Sequence, residues 1–231
     1  AQDVLGLSQG SYFENQRSIL RFEAPCPRVD CLDWLDAQAS QVKVYWANRD
    51  NSFRVAGIGK ADKVQGNAID TYATPFNAIS KKLSADNAIL YYGGMDFYPP
   101  EVNKDIAGKR RAAREWKAFG AYYFLLPRFE IVKRQGKYFF VCNIVTQDVT
   151  KSLIKEYLRS LDEISFSLNS PTLFIPKIKS LSMSPNNENW QRLFREHIQP
   201  SGKMVYQKIV LAQKTAIELA SKVSPLTVFK K

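Results

Sequence analysis

Residues 201–215, SGKMVYQKIVLAQKT, combine a glycine-containing turn with a strand-like apolar run that holds one lysine, Lys208. A strand is predicted over 205–212, in which Leu211 lies on one face and Val210 shares the other with Lys208. Such a lysine is either a charge at a strand edge, reaching water along its stem, or a desolvated amine. Desolvation would lower its pKa and give a neutral amine that can accept a proton near pH 7. Lys208 is therefore the candidate general base.

The composition is that of a folded chain with a sizeable core. Of its 231 residues, 45% are hydrophobic and 13% aromatic, enough for one or two domains. No run approaches the roughly 18 apolar residues of a membrane span, and the N-terminus lacks the layout of a secretory signal. We therefore expect a cytoplasmic protein with no membrane partner.

The formal charge of +11 is compatible with nucleic acid, an anionic membrane surface or a small anionic substrate. Nucleic acid is disfavoured because the basic residues are spread along the chain, without a Cys/His finger or an RNA-binding sheet motif. The densest basic run, 109–114, is predicted to be a solvated surface loop. A non-catalytic basic binding module, with Lys208 as an ordinary edge charge, stays open as an alternative.

Cysteine and histidine usage argues against a zinc site, a His-based metal cluster and a Ser/His/Asp triad. Cys26, Cys31 and Cys142 are scattered and form no CxxC pair, which predicts reduced structural thiols. The single histidine, His197, lies beside the apolar stripe of a predicted helix and is expected to be structural. The nucleotide-binding, zinc-protease and hydrolase motifs are absent.

The order of predicted elements indicates an α+β fold, mostly antiparallel sheet with helices packed outside. Turn residues between β-rich runs predict hairpins around 49–51 and 134–136. Asp30 and Asp148 are the predicted N-caps of two helices. The predicted strands are 18–23, 42–48, 52–59, 87–92, 122–126, 129–133, 137–145 and 205–212, and the predicted helices are 30–39, 76–83, 148–164, 187–198 and 226–231.

Three segments are predicted along the chain. An N-terminal α+β segment spans 1–165, and residues 166–186, rich in Ser, Pro and Asn, predict a connector. Residues 187–231 then begin a second segment. Its last helical pattern stops at Lys231, so we expect this second segment to be truncated.

Two groups of residues resemble the isochorismate synthases. WQRLF at 190–194, Gly202 and KIVLAQ at 208–213 are similar to the Trp, Gly and KVVLAR elements that open the catalytic core of these enzymes. Trp116 and Phe119, followed by YFLLPRFE at 123–130, resemble their W, F and LPRxE elements. The resemblance covers residues 40–231 and implies the fold of the chorismate-utilising enzymes.

The resemblance implies chorismate as the small-molecule substrate and Lys208 as the catalytic base. Lys208 would take a proton from water attacking C2, a glutamate would protonate the departing C4 hydroxyl, and carboxylates would hold Mg²⁺. The related anthranilate and aminodeoxychorismate synthases tend to carry Gln at the position matching Lys208. Ammonia is already a nucleophile, whereas water needs a base. Lys208 therefore favours an isochorismate synthase of menaquinone, phylloquinone or siderophore biosynthesis, with salicylate synthase as the alternative.

The chain departs from the family pattern in two respects. Gln213 stands where the family usually has Arg. The acid glutamate and the metal-binding glutamates belong to the part of the family's chain beyond residue 231, so neither role is given to Glu130 or Glu218. Glu130 is instead predicted to be structural and ion-paired. We accordingly expect this polypeptide alone to form no isochorismate.

Overall fold

The computed structural model describes residues 18–67, 71–83, 88–96, 118–146, 148–166, 175–198 and 210–230. The chain divides into two compact units, Ala1–Ser170 and Pro171–Lys231, which are described separately. The strands of the first unit are β1 (Ser18–Pro25), β2 (Lys43–Ala47), β3 (Phe53–Ile58), β4 (Asp62–Gly66), β5 (Tyr92–Met95), β6 (Tyr122–Leu126), β7 (Phe129–Arg134) and β8 (Lys137–Thr146). Its helices are α1 (Cys31–Ala37), α2 (Ala73–Ser80) and α3 (Lys151–Asp162).

A five-stranded antiparallel sheet in the order β1-β8-β7-β3-β2 forms the centre of the first unit. Both predicted hairpins are confirmed, because β2 pairs with β3 and β7 pairs with β8. Asn51 and Gln135 adopt positive φ angles of 58° and 50° in the two connections. This left-handed conformation lets a short connection follow the twist of its strands.

The two faces of this sheet have different neighbours. On one face Val55, Val132 and Val141 form a buried cluster against which Tyr92 of β5 packs. On the other face the ring of Phe129 lies 6.2 Å from that of Tyr157 on α3. Helix α1 packs on β2 and β3, where it buries Trp34 and Leu35. The predicted α+β class, mostly antiparallel with helices outside, is confirmed.

The second sheet of this unit has three antiparallel strands in the order β4-β6-β5. The prediction of a strand over 87–92 that stops at Gly93 was wrong, because β5 runs through Gly93 and Gly94. A Cβ at Gly93 would lie 1.9 Å from the Tyr123 carbonyl oxygen, so only glycine allows the two backbones this approach. Strand β4, which was not predicted, pairs with β6 along its whole length.

Helix starts were predicted correctly for α1 and incorrectly for α3. The Asp30 carboxylate accepts hydrogen bonds at the start of α1, as expected of an N-cap. Helix α3 is capped by Thr150, whose hydroxyl accepts from the Leu153 amide at 3.1 Å. Asp148 belongs instead to the preceding turn, where its amide donates to the Thr146 hydroxyl at 3.0 Å. Among the described residues, no helix is both long enough and apolar enough to cross a membrane.

The apolar stripe along α3 is only partly covered. Tyr157 is buried, and its hydroxyl donates to the Asn143 carbonyl oxygen at 3.1 Å. Ile154 and Leu158 are 44% and 55% exposed, and Val149 before the helix is 57% exposed. The stripe therefore packs in this unit mainly through Tyr157.

The corner between β6 and β7 is fixed by a close contact with β3. Pro127 is fully buried there, and a Cβ added to Gly57 would lie 2.5 Å from its Cγ and 2.7 Å from its Cβ. The proline ring is rigid, so it cannot move aside as the end of a flexible side chain could. Gly57 is therefore required at this position of β3.

We expect Gly57→Ala to lower the free energy of unfolding by about 1–3 kcal/mol, the usual cost of overpacking a filled core. Gly94→Ala is the matched control, because a Cβ at Gly94 meets nothing within 4 Å. Urea unfolding of both variants measures the difference. Equal stabilities for the two variants would show that Pro127 is not the constraint.

The second unit contains β9 (Ile178–Ser184), α4 (Asn187–Ile198), β10 (Lys214–Leu219) and α5 (Pro225–Phe229). The predicted helix over 187–198 is confirmed, and α5 starts one position before the predicted helix, with Pro225 in its first turn. The predicted connector was wrong where β9 forms and pairs antiparallel with β10. The strand predicted over 205–212 lies partly outside the described residues, and 210–212 have no regular structure.

Candidate functional site

Lys208, the predicted general base, lies outside the described residues, which end at Ile198 and resume at Val210. Helix α4 precedes this interval and β10 follows it. Of the residues that surround Lys208 in the sequence, Trp190 is half-buried on α4 and Val210 is 77% exposed. The role of Lys208 therefore stays a prediction.

Gln213, which stands where the resembling enzymes usually have Arg, makes a defined contact. Its Nε2 donates to the Pro185 carbonyl oxygen at 3.0 Å. Pro185 follows β9, and Gln213 precedes β10, so the bond joins the two paired strands where β9 ends and β10 begins. An uncharged amide performs this task without the positive charge of an arginine.

The β9–β10 sheet is amphipathic. Leu181, Met183 and Ile217 share one face and are 52%, 41% and 54% exposed. On β10, Glu218 accepts from the Lys179 ammonium at 2.7 Å and from the Ser180 hydroxyl at 3.0 Å. These hydrogen bonds lower the pKa of Glu218, which favours a fixed carboxylate over a proton donor.

The first unit holds a cluster of charged and polar side chains between its two sheets. It comprises residues from β1, β5, β7 and β8, and we call it the Glu130 cluster. Its members are Arg21, Glu23, Tyr92, Glu130, Arg134 and Asn143.

Glu130 is the centre of this cluster and is completely buried. Its Oε1 accepts from Nη1 of Arg21 at 2.9 Å and from Nδ2 of Asn143. Its Oε2 accepts from the Tyr92 hydroxyl at 3.1 Å. Glu23 extends the cluster, because it accepts from Nε of Arg21 at 2.9 Å and also pairs with Arg134.

Burial and pairing act in opposite directions on these groups. Burial raises the pKa of Glu130, while Arg21, Asn143 and Tyr92 favour its ionised form and offset part of the rise. Burial together with the Glu130 charge raises the pKa of Tyr92. Burial disfavours the charge on Arg21, but Glu130 and Glu23 outweigh it and raise the Arg21 pKa. The cluster therefore keeps its tyrosine protonated and its arginine charged.

The chemistry of the Glu130 cluster is structural. Two arginines face two carboxylates, and both oxygens of Glu130 already accept hydrogen bonds from the protein. A general base needs a free acceptor that points toward a reacting atom. The predicted ion pair of Glu130 is confirmed, and its partner is Arg21 on β1.

Sequence reasoning found Glu130 but missed Arg21, Tyr92 and Asn143. These residues are separated from Glu130 by 109, 38 and 13 positions. No motif at those spacings links them. The one available signal is Arg21. It is an arginine within an apolar stretch of β1, at a position whose side chain is expected to face inward.

The described residues contain no group of three or more His, Cys, Asp or Glu side chains that could hold a metal ion. The Mg²⁺ expected from the resemblance therefore has no fitting site among them, and no step is assigned to it. Cys26, Cys31 and Cys142 are free thiols, and burial raises the pKa of Cys31 and of Cys142 to about 11.

Comparison with known families decides the identity of the chain. The family model for "Chorismate binding enzyme" matches residues 7–231. The chain belongs to this family of chorismate binding enzymes. The match includes Lys208 and both groups of residues that resemble the isochorismate synthases.

A solved structure supports the fold of this chorismate binding enzyme. The structure is MenF, the menaquinone-specific isochorismate synthase from Escherichia coli, matched with a TM-score of 0.62 and 19% identity. The match covers 90% of this chain and 43% of MenF. The chain thus spans less than half the length of the enzyme it matches, and at this identity the likeness concerns the fold.

Three of the LPRFE residues of this chorismate binding enzyme have distinct packing roles. Pro127 fills the space above Gly57, and Glu130 holds the buried cluster. Arg128 donates through Nη1 to Glu156 at 3.0 Å, and its guanidinium lies 4.7 Å from the centre of the Tyr157 ring. The segment thereby joins β7 to helix α3 and to the rest of the central sheet.

Proposed function

We propose that this chorismate binding enzyme is an isochorismate synthase. The observation that carries the proposal is the lysine at position 208, within the KIVLAQ residues that resemble the KVVLAR element. Ammonia-using relatives tend to carry glutamine at the matching position, and glutamine cannot accept a proton from water. The fold likeness to MenF, a menaquinone-specific isochorismate synthase, is consistent with this proposal.

In the proposed reaction, the Lys208 amine removes a proton from a water molecule as its oxygen attacks C2 of chorismate. The double bonds of the ring shift, and the C4 hydroxyl leaves as water after taking up a proton. One water therefore enters and one leaves, so chorismate and isochorismate are isomers. The proton donor to C4 is a glutamate that the resemblance places outside this chain, and no described residue is assigned to it.

The proposal is tested by product analysis with chorismate and Mg²⁺ added to the intact protein, meaning the protein at its full natural length and not the 231 residues alone, which are expected to form no isochorismate. We expect isochorismate as the chromatographed product, and we expect chorismate to raise the melting temperature because it binds the folded state. Salicylate together with pyruvate would instead establish the salicylate synthase, in which isochorismate goes on to lose pyruvate.

The alternative of a basic binding module makes the opposite predictions. Such a protein would bind polyanions with an affinity that falls steeply with salt, and chorismate would leave its melting temperature unchanged. This outcome, with no turnover of chorismate, would overturn the proposed function.

A further inference from the structure

A cavity of about 330 Å³ lies in the first unit, where the end of β3 and the start of β7 meet the C-terminal ends of α1 and α3. This volume suits a small molecule. The deepest lining residues are Ile58 and Phe129, which pair across β3 and β7 and are only 6% and 3% exposed. Ile164, which follows α3, adds to the apolar lining. A ligand in this cavity would therefore bury an apolar body against the central sheet.

The walls of this cavity are fixed by hydrogen bonds within the protein. Gln38, which follows α1, donates through its Nε2 to the Ser165 carbonyl oxygen at 2.8 Å and accepts from the Ser165 amide at 3.1 Å. These two bonds join the end of α1 to the end of α3. On the β3 side, the Ser40 hydroxyl accepts from the Gly59 amide at 3.3 Å. The cavity is thus formed before a ligand arrives, which lowers the cost of ordering on binding.

Lys60 and Arg128 bring two positive charges to this cavity from neighbouring strands. The Arg128 amide donates to the Ile58 carbonyl oxygen at 3.0 Å, just where β3 ends. Gly59 then turns the chain with a φ of 67°, and a Cβ on it would lie 3.2 Å from the Cβ of Arg128. Lys60 therefore leaves the sheet beside Arg128, and its side chain is exposed.

The Arg128 guanidinium is held in place by only one of its nitrogens. Nη1 donates to Glu156 at 3.0 Å and to the Ser160 hydroxyl at 3.3 Å, and the group lies over the Tyr157 ring. Its Nε and Nη2 have no hydrogen bond to any residue that the structure describes, and Lys60 has no ion pair among those residues. An oriented guanidinium with unused N–H groups is a carboxylate-binding group.

We propose that this cavity binds a small organic carboxylate with an apolar body. The carboxylate pairs with the unused N–H groups of Arg128 and with the Lys60 ammonium, and the body packs on Ile58 and Phe129. Glu163 is the acidic residue among the described residues that line the cavity, and it is exposed, so solvent screens its repulsion. None of these residues takes part in the proposed proton transfer, so binding here does not require turnover of chorismate.

The probe for this site is benzoate, a compact carboxylate with an apolar ring, titrated calorimetrically into the protein at its full natural length without chorismate. We expect a dissociation constant of about 1 mM or lower, a modest value for a ligand of this size. Benzamide has nearly the same shape but no charge, and it should bind about tenfold more weakly or less, because it loses the charge-assisted hydrogen bonds. Benzoate should also raise the melting temperature.

Two charge reversals locate the binding. Lys60→Glu should raise the benzoate dissociation constant by about tenfold or more, because a like charge then meets the carboxylate. Lys63→Glu is the matched control, since it makes the same charge change at an exposed lysine of β4 outside the cavity lining. It should leave the constant within about twofold, because exposed charges farther away are screened.

Three results would overturn the proposal: no benzoate binding by the wild type, equal affinities for benzoate and benzamide, or equal weakening by the two reversals. Both lysines are exposed, and the melting temperature of each variant without ligand checks that it is folded. The titrations contain no chorismate, so a failure here leaves the proposed synthase activity untouched. A failure to form isochorismate likewise leaves benzoate binding unaffected.

Discussion

Lys208→Ala should reduce the rate of isochorismate formation by about 10²–10⁴-fold, the usual contribution of a positioned general base. The alanine leaves the water molecule with no group that can take its proton during attack on C2. Binding of chorismate should be affected less, since the base acts on water and not on the carboxylates of the substrate. The measurement is kcat and KM with chorismate and Mg²⁺, with the isochorismate produced followed by chromatography.

Two further variants separate this effect from a general loss of structure. Lys208→Gln restores much of the side chain but no base, so it should be as inactive with water as the alanine variant. Lys214→Ala removes an exposed lysine of β10 and should keep the wild-type rate. Wild-type turnover in Lys208→Ala would show that Lys208 is not the general base.

Glu130→Ala should lower the free energy of unfolding by about 3–5 kcal/mol, because it leaves a buried charge without its partner. The Arg21 side chain is only 8% exposed and would lose the carboxylate 2.9 Å from its Nη1. Asn143 and Tyr92 would each lose an acceptor as well. Urea unfolding followed by circular dichroism measures the loss.

The control for Glu130 is Glu156→Ala. Glu156 pairs with Arg128 at 3.0 Å, but its side chain is 58% exposed, so the change should cost at most about 1 kcal/mol. A double variant tests the cause directly. Arg21→Met combined with Glu130→Gln removes both charges. The amide oxygen can still accept from Asn143, and the Tyr92 hydroxyl can accept from the amide NH2 group, so the double variant should be more stable than Glu130→Ala. A double variant that is less stable than Glu130→Ala would show that the uncompensated charge of Arg21 does not cause the loss of stability.

Local pattern was sufficient for the elements whose residues alternate clearly. The hairpins β2–β3 and β7–β8 have β-rich strands and short polar turns, and the structure contains both. Helix α1 was predictable from Asp30, whose carboxylate caps it. In these segments the local preference and the tertiary environment agree.

Other elements depend on partners that the sequence does not reveal locally. Strand β4, DKVQG, is too polar to show a strand pattern. In β9, IKSLSMS, Leu181 and Met183 alternate with serines, but the serine content resembles that of a connector. Each of the two strands pairs with a strand distant in the sequence. Strand β5 continues through Gly93 because a residue without a Cβ lets the β5 backbone lie close to the Tyr123 carbonyl of β6. Thr150 caps α3 instead of Asp148 because Asp148 takes part in the turn before it.

The candidate site divides in the same way. The ion pair of Glu130 could be predicted from the type of residue, whereas its partner Arg21 lies 109 positions away and is brought near only by the pairing of β1 with β8. The lysine at position 208 was singled out by its apolar neighbours and by its resemblance to a known element, not by geometry.

The most direct measurement follows oxygen from water enriched in ¹⁸O into the product of the intact protein with chorismate and Mg²⁺. We expect isochorismate that carries ¹⁸O in its C2 hydroxyl, and we expect its formation to be lost in Lys208→Ala. Isochorismate without the label, or turnover that requires ammonia and yields an aminated product, would contradict this expectation.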